Sequence, residues 1–262
     1  MKSRARRGVF LLPSLLTAAA LFSGFYSIIF TLNSLLFGRD NFHTAVVAII
    51  LATFFDSMDG RVARLMKAES EFGSHFDSIA DMVSFGVAPA VLVYAWALIH
   101  LGRMGWLGAF LFLACAAIRL ARFNVISSQG MSKKYFKGLS SPVAAGGLAL
   151  CLMMLDSWLD SSVFSWAILG ITICLSLLMI SNVRFRSFKD LDLKKYRVQS
   201  LMIGMLLIVL IFSFHEVALF FIFLIYLASG LIEELILFRR RRKSDPSVPF
   251  LPFGDKEEDT DL

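Results

Sequence analysis

Residues 43–100 read HTAVVAIILATFFDSMDGRVARLMKAESEFGSHFDSIADMVSFGVAPAVLVYAWALIH. Two apolar runs, each long enough for a spanning helix of about 20 residues, flank a short polar joint. Asp56, Asp59, Asp77 and Asp81 sit where the runs meet that joint. Ionisable side chains at the edge of a membrane span are costly and mark functional positions by default. Asp56 and Asp59 are three apart and Asp77 and Asp81 four apart, so each pair falls on one face of its helix. The short joint makes the helices antiparallel neighbours, with both pairs at one depth. Four carboxylates gathered this way repel one another unless cations neutralise them. Oxygen-only donors suit a hard ion, Mg²⁺ or Mn²⁺, and four aspartates can hold two ions with water and phosphate oxygens completing the shells.

The rest of the chain has the same apolar character. Of 262 residues 57% are hydrophobic, 26 are Phe and only 18% are charged, a membrane composition. Eight apolar stretches are expected to form an all-α bundle: 9–37, 43–66, 76–100, 104–123, 141–155, 161–180, 200–215 and 216–238. The fifth and seventh are short, which leaves six spans as the alternative count. Placing both termini in the cytoplasm puts all basic residues but Arg39 and Arg103 on that side, as the positive-inside rule requires. The net charge of +6 is thus topology and attraction to anionic lipid, with no basic folded domain for nucleic acid. Cys115, Cys151 and Cys174 lie in or beside apolar stretches without metal-ligand or disulfide spacing. The first apolar run is too long for a signal-peptide core and is expected to be a retained span. The Pro-rich and then acidic tail is expected to be disordered.

Between the aspartate pairs, Gly60 and Gly73 allow backbone to approach a ligand. Ala63 keeps that helix face small, and Arg64 offers a planar fork for phosphate. The run Asp56-Ser-Met-Asp59-Gly60-Arg-Val-Ala63-Arg64, followed after eight residues by Gly73-Ser-His-Phe-Asp77-Ser-Ile-Ala-Asp81, matches D-x-x-D-G-x-x-A-R-x8-G-x3-D-x3-D. It resembles the signature of the CDP-alcohol phosphotransferases at eight fixed residues over 26 positions. The resemblance implies that Asp56, Asp59, Asp77 and Asp81 bind metal and that Asp81 is the general base. It also implies that Gly60, Ala63, Arg64, Gly73 and Asp77 form the nucleotide-binding part of the site, and that the protein is a homodimer.

Several further segments are similar to the phosphatidylserine synthase branch of that family. They are Ser70–Gly73, Asp81–Ala90, Arg119–Asn124, Phe136–Pro142 and Ser181–Lys189, so the resemblance covers most of residues 9–190. Two positions depart from the branch: Ser14 follows Pro13 where an asparagine is common, and Ser140 stands where a second proline is common. The branch implies CDP-diacylglycerol and L-serine as substrates, in a multi-pass inner-membrane enzyme whose active site faces the cytoplasm. Serine brings a carboxylate to be bound, and Arg119, Arg122 and Lys137, with Asn124 and Ser141, suit it chemically. The expected organisation is a basic N-terminus over 1–8, a catalytic membrane domain over 9–190, further transmembrane helices over 191–238 and a cytoplasmic tail over 239–262. Alternatives are transfer to glycerol 3-phosphate, inositol phosphate or choline, and an ion-coupled transporter. His75 reads as an exposed loop histidine, and Trp96, Trp106, Trp158 and Trp166 as interfacial anchors.

Overall fold

The computed structural model of the chain describes residues 2–37, 41–66, 70–128, 136–156, 161–181, 183–185 and 220–230. These form seven helices: α1 (Lys2–Phe37), α2 (Asn41–Leu65), α3 (Glu71–Leu101), α4 (Arg103–Ser128), α5 (Ser141–Asp156), α6 (Ser161–Ile180) and α7 (Phe220–Gly230). Four stretches are long and apolar enough to cross a membrane: Leu12–Phe37, Glu71–Leu101, Arg103–Val125 and Ser162–Ile180. Ser141–Asp156 and Phe220–Gly230 are shorter apolar helices. The protein is membrane-embedded. Seven of the eight expected stretches coincide wholly or partly with these helices, and the stretch 200–215 lies outside the described residues.

The first helix meets its neighbours through small residues. Thr17, Ala20, Gly24, Ser27, Thr31 and Ser34 recur at alternating steps of three and four and are all buried, while Phe22, Phe25, Leu32 and Leu36 of the same helix are exposed. Lipid tails are as apolar as leucine, so contact between spans depends on close backbone approach and hydrogen bonds, which small residues allow. This seam packs α1 along α2 and against α3. At the α1–α3 crossing the Ser84 hydroxyl donates to the Ala20 carbonyl at 3.0 Å. A Cβ on Gly24 would stand 2.5 Å from Ser84 Oγ and 2.7 Å from Ser84 Cα, so only glycine fits there.

The start of α3 is earlier than the hydropathy predicts, at Glu71 instead of Phe76. Ser70 has extended backbone and its hydroxyl oxygen accepts from the Gly73 N–H at 3.0 Å. Glu71 lies in the first turn, where a negative charge meets the positive end of the helix. Directly after Asp81 the helix widens into a π-helical segment, Met82–Val87, with the Ala88 N–H donating to the Val83 carbonyl five residues back. Pro89 follows; it carries no N–H and crowds the carbonyl one turn before it. A wider turn at that point accommodates the misfit, as π-bulges do.

Between α4 and α5, the strand β1 (Phe136–Lys137) pairs antiparallel with β2 (Arg184–Phe185), which follows α6. Two of the segments that resemble the phosphatidylserine synthase branch therefore meet in space. The Gly138 N–H donates to the Val183 carbonyl at 2.8 Å and the Leu139 N–H to the Leu178 carbonyl at 3.0 Å. Gly138 has φ +86, and a Cβ there would collide with the Met179 carbonyl. This ribbon fixes where α5 begins, and so fixes Ser141. Trp96 is a correction to the sequence reading: it is buried, its ring stacked on Phe42 at 5.0 Å, because it faces α2 and not the membrane boundary. Trp106 and Trp166 are exposed, Trp158 lies outside the described residues, and the three cysteines are free.

Candidate active site at the ends of α2 and α3

Asp56 and Asp59 lie near the C-terminal end of α2, and Asp77 and Asp81 in the first half of α3. The fold brings the two pairs together across the joint. Asp56, Asp59 and Asp77 each offer a carboxylate oxygen, and these three atoms lie within 4.8 Å of one another. Asp81 extends the cluster, its carboxyl group hydrogen-bonding with that of Asp56. Three hard oxygen donors at this separation fit a divalent cation.

The cluster is held from a third helix. Thr17 of α1 donates its hydroxyl to Asp59 Oδ2 at 2.8 Å, and both residues are buried. The same hydroxyl lies 3.1 Å from the Pro13 carbonyl. It has one proton to give, and the shorter bond goes to the charged acceptor. Sequence reasoning passed over Thr17, although a hydroxyl at the start of a seam of small residues was a readable signal.

On the nucleotide side, the space a Cβ of Gly60 would enter is open, with nothing within 4 Å. Ala63 is half-buried and Arg64 is exposed in the last turn of α2. Gly73 is different. Its N–H is used in capping α3, and a Cβ would meet Ser70 Oγ at 3.0 Å. His75 is exposed.

Of the five residues expected around an acceptor carboxylate, Arg119 and Ser141 meet directly. Arg119 of α4 donates from Nη1 to Ser141 Oγ, at the first residue of α5, at 3.0 Å. Its guanidinium is also within electrostatic reach of Asp81 and of Tyr226 on α7. Asn124 turns elsewhere, donating from Nδ2 to Ser78 Oγ on α3 at 3.0 Å in an exposed setting. Five residues along a helix is about 7.5 Å of rise and more than a third of a turn out of phase, so the two positions serve different neighbours. Arg122 is half-buried on α4. Lys137 lies in β1, in register with Arg184 of β2. Ser78 and Tyr226 were both missed in the sequence: one is an unremarkable serine inside the motif, the other lies in a uniformly apolar stretch.

Chemically, the site offers a carboxylate cluster suited to a cation, an open glycine face beside it, and a half-buried arginine on the other side of Asp81. A family model described as CDP-alcohol phosphatidyltransferase matches residues 10–180. Among relatives, a Helicobacter pylori (strain J99) protein named CDP-diacylglycerol–serine O-phosphatidyltransferase is 34% identical over 232 residues, covering 87% of this chain and 93% of its own length. A Bacillus subtilis (strain 168) protein of the same name is 36% identical over 179 residues, covering 68% of this chain and 91% of its own. A third with that name, from Methanocaldococcus jannaschii, is 36% identical over 160 residues, covering 57% and 71%.

Proposed function

This chain belongs to the CDP-alcohol phosphatidyltransferase family, and on that premise we propose that it transfers the phosphatidyl group of CDP-diacylglycerol to the hydroxyl of L-serine, giving phosphatidylserine and CMP. The observation that carries this reading is the convergence of Asp56, Asp59 and Asp77 within 4.8 Å, with Asp81 joined to Asp56 on the side that Arg119 approaches.

In this reading Asp56, Asp59, Asp77 and Asp81 hold Mg²⁺ or Mn²⁺, two ions in all. Bound there, such ions neutralise the diphosphate, which otherwise repels a nucleophile, and stabilise charge on the departing CMP. The chain's own groups do the rest. The open face at Gly60, with Ala63 and Arg64, receives the cytidine diphosphate. Arg119 binds the serine carboxylate and so brings the serine hydroxyl toward Asp81. Asp81 takes the hydroxyl proton as the serine oxygen bonds to the phosphorus that carries diacylglycerol. The bond from that phosphorus to the CMP oxygen breaks, and CMP leaves with the electron pair. The acyl chains stay in lipid between the helices.

The distribution of basic residues supports a site at the cytoplasmic face of the inner membrane, in an enzyme that works as a homodimer. The test is incubation of the purified protein with CDP-diacylglycerol, Mg²⁺ or Mn²⁺ and labelled serine. Labelled phosphatidylserine and an equal yield of CMP are expected. CMP release only with glycerol 3-phosphate, inositol phosphate or choline would replace serine with that alcohol.

A further inference from the structure

Helix α7 lies beyond residues 10–180, where the family model matches, yet it reaches the site. Phe223 is buried, with Phe220, Tyr226 and Leu227 packed against the same core. A Cβ on Gly147 of α5 would run into the Phe223 ring, so α7 is seated directly against the α5 backbone. Tyr226 follows Phe223 by three residues and shares its side of the helix. That places its phenol within electrostatic reach of the Arg119 guanidinium.

Besides the electrostatic pull of Asp81, Arg119 is held by one hydrogen bond. Its Nη1 donates to Ser141, while its Nε is buried and has no hydrogen-bond partner. A guanidinium has five N–H donors in a rigid fork, so fixing one corner still lets the plane swing about that bond. A second contact from another helix stops the swing. A buried donor left without a partner is costly in a finished core, but here it is a free hydrogen bond for an incoming carboxylate.

We propose that Tyr226 is a positioning residue for acceptor recognition: with Ser141 it holds Arg119 so that the unpaired side of the fork faces the carboxylate of an amino-acid acceptor. The inference rests on the reading of serine as acceptor given above. It assigns to α7 a part of the site that lies outside the segment the family model matches.

The experiment compares full-length wild type with Tyr226→Phe, which keeps the ring and its packing, and with Ser141→Ala and the double variant. CMP release is measured against serine and, separately, against CDP-diacylglycerol. Losing either the Ser141 hydrogen bond or the polar contact of the Tyr226 phenol with a charged group should raise the serine KM roughly tenfold or more, with kcat within about twofold and the CDP-diacylglycerol KM unchanged. Because both residues act through Arg119, the double variant should fall short of the product of the single effects. A serine KM within twofold of wild type, equal changes in both KM values, or fully multiplicative effects would each overturn the assignment. Wild type inactive with serine but active with another alcohol would instead defeat the acceptor reading itself, and the inference with it.

Discussion

Removing the Thr17 hydroxyl should loosen the metal site without touching any ligand. Thr17→Val keeps shape and burial and deletes the 2.8 Å bond to Asp59 Oδ2. The bond to the Pro13 carbonyl at 3.1 Å does not add to the loss, since one proton serves both acceptors in turn. A buried hydrogen bond to a charged group contributes about 1.5–3 kcal/mol, equivalent to roughly a 10- to 150-fold change in an equilibrium constant. Groups that orient a ligand in this way typically affect metal affinity by about 10- to 100-fold. The two routes to the magnitude agree. The assay is CMP release as a function of Mn²⁺ at saturating substrates: the half-saturating concentration should rise at least about tenfold, and saturating metal should restore most of kcat. A half-saturation within twofold of wild type would show that Asp59 needs no support from α1. A loss of kcat that metal does not restore would show that Thr17 acts on something other than the ion.

Three other outcomes are expected. Asp81→Asn should lower kcat by about 10²–10⁴-fold while CMP binding, measured by calorimetry, persists; near-normal turnover would remove Asp81 as the base. Gly24→Leu should destabilise the protein by about 1–3 kcal/mol, because its side chain has no space beside Ser84, and an unchanged thermal midpoint in detergent would contradict the close crossing of α1 and α3. Asn124→Ala should change the serine KM by less than about fivefold, since an exposed hydrogen bond to Ser78 contributes about 1 kcal/mol or less; a tenfold rise would return Asn124 to the acceptor site.

The acidic cluster was readable because charge in an apolar context is rare and its spacing fixes a helix face. Asp56, Asp59, Asp77 and Asp81 could be placed together from the sequence, whereas polar residues carry helices past the apolar stretches: α1 begins at Lys2 and not 9, α3 at Glu71 and not 76, and α4 runs to Ser128 and not 123. The acceptor residues were less readable. Cations near a membrane surface serve topology as well as chemistry, and hydropathy does not say which neighbour each one meets. Arg119 and Asn124 belong to one short segment, yet helical phase sends one to Ser141 and the other to Ser78. Tyr226 carried no signal at all. It lies in a stretch that is apolar on every side, and only the seating of Phe223 against Gly147 shows which way it faces.

The first helix supplies no expected ligand, but it decides whether the ligands can converge. The carboxylates come from α2 and α3, and α1 bonds to both: Thr17 to Asp59 on α2, and the Ala20 carbonyl to Ser84 on α3. The two contacts lie one turn apart on one seam, beside Gly24. Three residues of rise is about 4.5 Å, comparable with the 4.8 Å that encloses the three carboxylate oxygens. A shift of α1 by three residues along its axis would therefore put Thr17 level with the present α3 contact and leave Asp59 without its donor. The small-residue seam, with residues at 17, 20, 24, 27, 31 and 34 buried along most of the helix, resists such a shift because Gly24 admits the Ser84 backbone where a Cβ would not fit. The carboxylate geometry is thus set by packing between the helices as much as by the motif that furnishes the oxygens.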